Sequence, residues 1–95
     1  MGQIRSCVVS YQDQEGIRHS VEVTAETLYE AAILGLKALR VRAGDSHNIT
    51  IEIKVKQPET THAIWGSVLE AWLARPPTNP KEQALKARLK EIRQA

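Results

Sequence analysis

Alternating apolar and polar residues predict three β-strands. Residues 4–11 and 17–24 are rich in β-branched side chains and flank the polar residues 12–16, a pattern typical of a hairpin. The second run alternates clearly, with Ile17, His19, Val21 and Val23 on one side. In the first run we assign Cys7, Val9 and Tyr11 to the buried face. Residues 49–56 alternate without exception and place Ile49, Ile51, Ile53 and Val55 together.

Apolar residues spaced three and four apart predict a helix after the hairpin. Thr27 and Glu30 have the hydroxyl-to-glutamate spacing of a helix start. The apolar stripe that follows consists of Leu28, Ala31, Ala32, Gly35, Leu36 and Leu39. Its small residues allow close approach to the sheet. We expect the helix to end between Arg40 and Ala43, with Gly44 as a left-handed cap.

A short strand and a second helix are predicted next. Residues 61–65 suit a fourth strand that Gly66 ends, and Ser67 with Glu70 repeats the pattern of a helix start. The apolar stripe of this helix is Val68, Leu69, Trp72 and Leu73. The two prolines at 76–77 end it, because proline cannot continue a helix.

The C-terminal residues predict a third helix with a narrow apolar side. Asn79 suits the cap, Pro80 the first helical position and Glu82 the third. The apolar side is Leu85, Leu89 and Ile92. We therefore expect an amphipathic helix whose apolar side docks on its own core, on a twin subunit or on another protein.

The order ββαβ(β)αα indicates an α+β fold, with a mostly antiparallel sheet of three to four strands and a helix packed on one face. The first five elements follow the order of β-grasp folds, so the pattern also allows a β-grasp-like topology. We assign residues 1–75 to the α+β core. Residues 76–95 form a Pro-rich turn and a basic helix, which belongs to the same domain or acts as a docking arm.

Composition narrows the class of protein. The chain has 95 residues, enough for one hydrophobic core, and its content of 42% hydrophobic and 25% charged residues is ordinary for a globular domain. Cys7 is the one cysteine, so no internal disulfide can form. The first residues lack the apolar run of a secretory signal, and no stretch is long enough for a membrane span. We expect a cytoplasmic protein.

Candidate chemistry is sparse. The spacing of His19, His47 and His62 matches no metal-ligand motif, so we predict no metal site and no cofactor. Cys7 and His19 could be cross-strand neighbours, which would give a thiol nucleophile with an adjacent base. A lone cysteine in a β-branched strand is more often a small core residue, and we predict no enzyme and no ligand pocket.

Two groups of residues suggest binding instead. Trp65 and Trp72 lie close together in a chain without phenylalanine, where they either anchor a helix or contact a partner. With Leu85, Leu89 and Ile92 they form the predicted protein-binding set. The second group consists of five C-terminal cations that could neutralise phosphates: Lys81, Lys86, Arg88, Lys90 and Arg93. Glu82 with Lys86 also fits an ordinary helix-stabilising pair.

Two resemblances rank these hypotheses. The passage from Arg18 to Val23, followed by Leu28 to Ala32, resembles short bacterial proteins of unknown function, which implies no activity or partner. Residues 27–39 resemble the antitoxin components of bacterial toxin–antitoxin pairs of the partial ribonuclease-H type, although the glycine- and proline-rich strand turn of that family is missing. We therefore expect a bacterial, non-enzymatic module that binds a protein or a second copy of itself. The alternative is an antitoxin-like regulator that binds nucleic acid.

Overall fold

The computed structural model describes residues 4–41, 48–56 and 59–94, with side chains up to Ile92 in the last range. The predicted positions Arg42, Ala43, Gly44, His47 and Pro58 and the side chain of Arg93 lie outside the described residues. Within them the chain forms β1 (Arg5–Gln12), β2 (Arg18–Ala25), α1 (Leu28–Ala38), β3 (Thr50–Lys56), β4 (Glu59–Trp65), α2 (Gly66–Ala74) and α3 (Pro80–Gln94). None of these helices has the length and apolar composition to cross a membrane. The predicted α+β class is confirmed.

The four strands form one antiparallel sheet in the order β2-β1-β3-β4. Val9 in β1 lies opposite Val21 in β2 and Ile53 in β3, so the alternating aliphatic residues share one face. We call this the helix face, because the helices cover it, and the opposite side the open face. Cys7 and Val9 are buried on the helix face, as predicted. β2 and β4 are the two edges of the sheet.

Helix α1 begins as the sequence predicts and ends earlier. The side-chain oxygen of Thr27 accepts a hydrogen bond from the Glu30 amide at 3.0 Å, which caps the helix. The helix ends at Ala38, and Arg40 takes the left-handed conformation at φ 62°. The amide of Arg40 donates to the Lys37 carbonyl, so the last turn closes as glycine-capped helices do. Arg40 therefore occupies the position that we predicted for Gly44.

Small residues bring α1 close to the sheet. A β-carbon built on Gly35 would lie 2.4 Å from a methyl carbon of Val9, so only glycine fits between α1 and β1. Ile33 is fully buried although it lies off the predicted stripe. It belongs to the same core cluster as Leu89 of α3.

The second and third helices complete the core. Ser67 is not the cap of α2: the helix begins at Gly66 after Trp65, and no side chain caps it. Val68 is half exposed, whereas Leu69 and Leu73 are buried. Helix α3 starts as predicted, because the side chain of Asn79 accepts a hydrogen bond from the Glu82 amide at 2.8 Å.

Candidate functional site

The apolar side of α3 packs on the core of this chain. Leu89 is fully buried in the cluster that includes residues of α1 and β3, and Leu85 and Ile92 pack against that cluster. In this conformation they hold the fold together, and only the partly buried Leu85 and Ile92 keep some accessible surface.

The two tryptophans occupy different environments. Trp72 stacks on Tyr29 of α1, with ring centroids 4.5 Å apart and planes 7° from parallel, and the ammonium of Lys86 lies 4.8 Å from the centre of a Trp72 ring. Trp72 therefore anchors α2 between α1 and α3. Trp65 is 59% exposed at the end of β4. Of the five residues predicted to bind a protein, Trp65 is the most accessible.

The basic residues of α3 are only partly available to a phosphate backbone. Lys86 is buried, and its ammonium donates to the Arg75 carbonyl at 2.8 Å and pairs with Glu82 at 2.9 Å. The Thr78 hydroxyl and, to a smaller extent, this ammonium hold the pKa of the Glu82 carboxyl below its usual range. Arg88 pairs with the buried carboxylate of Glu30. Lys81 and Lys90 are exposed. These positions do not form one continuous row of free cations.

Cys7 and His19 are not cross-strand neighbours. Cys7 lies opposite Val23, and His19 lies opposite Tyr11, on which it stacks. Burial raises the pKa of the Cys7 thiol more than the charge of Arg5 lowers it, so the thiol stays neutral. The imidazole of His19 forms a hydrogen bond of 2.8 Å with the carboxylate of Asp13, which lies in the hairpin turn. The catalytic pairing that the sequence allowed is absent from this sheet.

A cleft of ≈ 490 Å³ separates the first turn of α1 from the first turns of α3, contrary to our expectation of no pocket. Tyr29, Trp72 and Leu85 form its apolar part. Two of the charged residues in its wall, Glu30 and Arg88, are paired with each other. Cys7, His19 and His62 do not line it. The cleft therefore combines an aromatic wall with charged side chains at its rim.

The most exposed strand of the sheet is β4. Residues 59–63 are all exposed, and among the described strands β4 pairs on one side only, with β3. On the helix face Ile53 is buried, yet the side chain opposite it, His62, is exposed. The helices thus leave most of β4 uncovered, and its outer edge carries backbone groups without a neighbouring strand.

The other edge strand, β2, is better protected. Helix α1 packs over it, so that Val21 and Val23 are partly buried. On its open face Arg18 pairs with Glu52 at 3.3 Å, and Glu22 pairs with Lys56. Charged side chains and a covering helix are two devices by which proteins discourage pairing at a sheet edge.

Two exposed apolar side chains occur at the end of β4 and the start of α2. Trp65 and Val68, 59% and 50% exposed, are two of the four large apolar residues that the described part of the chain exposes strongly. The one charged residue of β4, Glu59, is paired with Lys54 at 3.1 Å. The strand contains no lysine and no proline. Residues 60–65 therefore include no lysine, arginine, aspartate or glutamate.

The sequence pattern predicted β4 as a strand, but its exposed edge was not predicted. The signal was present: of its helix-face residues Thr60, His62 and Ile64, only the last is aliphatic. A strand that offers one aliphatic residue to the core is poorly covered.

The described residues contain no group of three or more histidine, cysteine or acidic side chains that could hold a metal ion. No family model matches the chain, and comparisons with curated proteins and with solved structures find no significant similarity.

Proposed function

We propose that this chain is a non-enzymatic interaction module that binds an extended protein segment along the edge of β4. The observation that carries the proposal is the exposure of residues 59–63 on a strand that has a neighbour on one side only. Its free backbone donors and acceptors can bond an added strand, and alternate side chains of that strand then lie on the two faces of the sheet.

Trp65 supports this choice of edge. A strand added along β4 passes beside its ring, which is 59% exposed, and can bury it. Tryptophan is the residue type that most often contributes strongly to binding when it becomes buried at an interface. The backbone of β4 would supply affinity for any extended chain, and Trp65 would favour an apolar side chain beside it.

Nucleic-acid binding ranks second. Lys86 and Arg88, two of the five cations that the hypothesis needs, are engaged within the chain. The three other cations are too few for the dense row of phosphate contacts that gives strong, salt-dependent binding. If this ranking is wrong, DNA or RNA will shift the chain in a gel at low salt, and Lys81→Ala with Lys90→Ala will abolish the shift.

Selection from a library of displayed random peptides tests the proposal. Peptides that bind should be extended and should perturb the backbone amide signals of β4 in NMR spectra, leaving those of β2 unchanged. Ala63→Lys, which adds a charge to the exposed edge, should weaken the binding of the selected peptides. Ser20→Lys, an equivalent exposed change on β2, should not. Peptides that bind only in the cleft beside Trp72, or no binders at all, would contradict the proposal.

A further inference from the structure

We infer that the extended segment bound by β4 is β4 of a second copy of this chain, so that two sheets join into one of eight strands. This inference rests on the proposed function and names its partner. A homodimer with a two-fold axis uses the same surface on both copies, so the edge must be complementary to itself. The sequence and the exposure of β4 allow this condition to be examined residue by residue.

The two faces of the sheet restrict how two β4 strands can pair. An axis perpendicular to the sheet makes the strands antiparallel and keeps the helices of both copies on the same side. Opposite residues in an antiparallel pair point to the same face. One residue must therefore lie opposite its own copy, because a register centred between two residues would place helix-face side chains opposite open-face ones. Among such registers, the one centred on His62 pairs all seven residues of β4.

This register matches the chemistry of the strand to itself. On the helix face His62 lies opposite His62 of the second copy, and Thr60 lies opposite Ile64. On the open face Thr61 lies opposite Ala63. These positions have small or uncharged partners, so no residue within the described strand meets a like charge except the central imidazoles when both are protonated.

The ends of the register bring the exposed tryptophan to an ion pair. Trp65 lies opposite Glu59 of the second copy, which is paired with Lys54 at 3.1 Å. Lys54 is thereby placed within reach of the indole ring, where its ammonium and its aliphatic stem both make favourable contacts. The two-fold axis repeats this arrangement at the other end. Both exposed tryptophans are covered, which the monomer does not achieve.

The dimer interface along β4 is small, so the dimer should be weak and should form only at high protein concentration. Seven residue pairs bury less surface than a permanent dimer interface needs. We expect light scattering to give a mass near 10.6 kDa in dilute solution and a mass approaching twice that value as concentration rises. Ala63→Lys should raise the dissociation constant about tenfold or more, whereas Ser20→Lys on β2 should leave it within about twofold.

Cysteine substitution tests the register. The Cα atoms of opposite residues in an antiparallel pair lie about 4.5–5.5 Å apart, a separation that a disulfide can span. His62→Cys should therefore give a covalent dimer on mild oxidation. Thr60→Cys is the matched control on the same face: in this register its two copies are four residues apart along the strand, about 13 Å, too far for a disulfide. Both sites are exposed, and Cys7 is buried.

The outcomes separate the partner from the function. Dimerisation that Ala63→Lys weakens, with cross-linking of His62→Cys alone, supports the inference. A chain that stays monomeric at millimolar concentration while displayed peptides still bind β4 overturns self-association and leaves the proposed function standing. A dimer that Ser20→Lys disrupts instead, or equal cross-linking of both cysteine variants, overturns the edge or the register.

Discussion

The carboxylate of Glu30, buried in the first turn of α1, is paired with the guanidinium of Arg88 from the middle of α3. The same carboxylate accepts a hydrogen bond from the Glu26 amide at 2.8 Å, rather than from the amide of the cap residue Thr27. This carboxylate therefore joins the start of α1 to Arg88, which is 58 residues away along the chain.

Removal of the Arg88 side chain should show how much this ion pair contributes to stability. Arg88→Ala leaves the buried carboxylate without its cation and should lower the free energy of unfolding by about 1–3 kcal/mol. Glu30→Gln should cost less, because an amide needs no counter-charge. Urea denaturation measures both, and Lys81→Ala, which removes an exposed cation of the same helix, is the control. Equal stability of Arg88→Ala and the control would show that the pair contributes nothing.

Gly35 should not tolerate alanine. The added carbon would lie within 3 Å of three carbons of Val9, so the helix must move from the sheet at a cost of about 1–3 kcal/mol. Gly16→Ala is the contrasting case, because its left-handed φ of 82° is strained but nothing lies within 4 Å. Thermal unfolding should show a larger loss for Gly35→Ala. A Gly35→Ala protein that unfolds at the wild-type temperature would refute the close approach.

Truncation of Leu89 tests whether α3 belongs to the core. Leu89→Ala should lower the free energy of unfolding by about 2–5 kcal/mol, because the side chain is fully buried and leaves a cavity. Lys90→Ala, one position along the helix and exposed, should change it by less than about 0.5 kcal/mol. If both variants unfold at the same urea concentration as the wild type, α3 is a docking arm and no part of the folded core.

The hairpin turn should make the chain sensitive to acid. The hydrogen bond with His19 lowers the pKa of Asp13 below its usual 3.8, and the amides of Ile17 and Glu15 add to the effect. A carboxyl whose pKa is lower in the folded state stabilises the fold above its unfolded pKa and loses that contribution as pH falls through the folded value. Stability should therefore decline below about pH 4.

Asp13→Asn should flatten that decline. The asparagine keeps a side-chain oxygen for the two amides at 2.9 Å but cannot titrate, so the slope of stability against pH should become smaller in the acid range. Urea unfolding between pH 3 and 7 gives the slope. Glu15→Gln, in the same turn, is the control. An unchanged slope for Asp13→Asn would assign the acid sensitivity to other carboxyls, such as Glu22, whose bond with Lys56 also lowers its pKa.

The core could be predicted from the sequence because its signals are local. Ile51, Ile53 and Val55 alternate with polar residues, and all three are buried on one face. The Asn79 cap was equally clear, since its partner lies three residues away. In these cases the physical cause and the sequence pattern extend over the same few residues.

The surfaces could not be predicted because they depend on distant parts of the chain. The sequence predicts Lys86 as a cation available to phosphates, but its ammonium lies over Trp72 and donates to the Arg75 carbonyl. The position of β4 at the edge follows from the strand order, which no local pattern contains. His62 is exposed because α1 lies toward β2, a consequence of packing between elements far apart in sequence.

Amide hydrogen exchange at two protein concentrations tests the central claim most directly, because it locates the interface on the unmodified chain. If β4 is the interaction edge and its partner is a second copy, the amides of residues 59–65 that do not bond β3 should exchange rapidly in dilute solution and slowly in concentrated solution. Those of β2 should exchange at the same rate in both. Exchange along β4 that is independent of concentration, or protection that appears along β2 instead, would contradict the account.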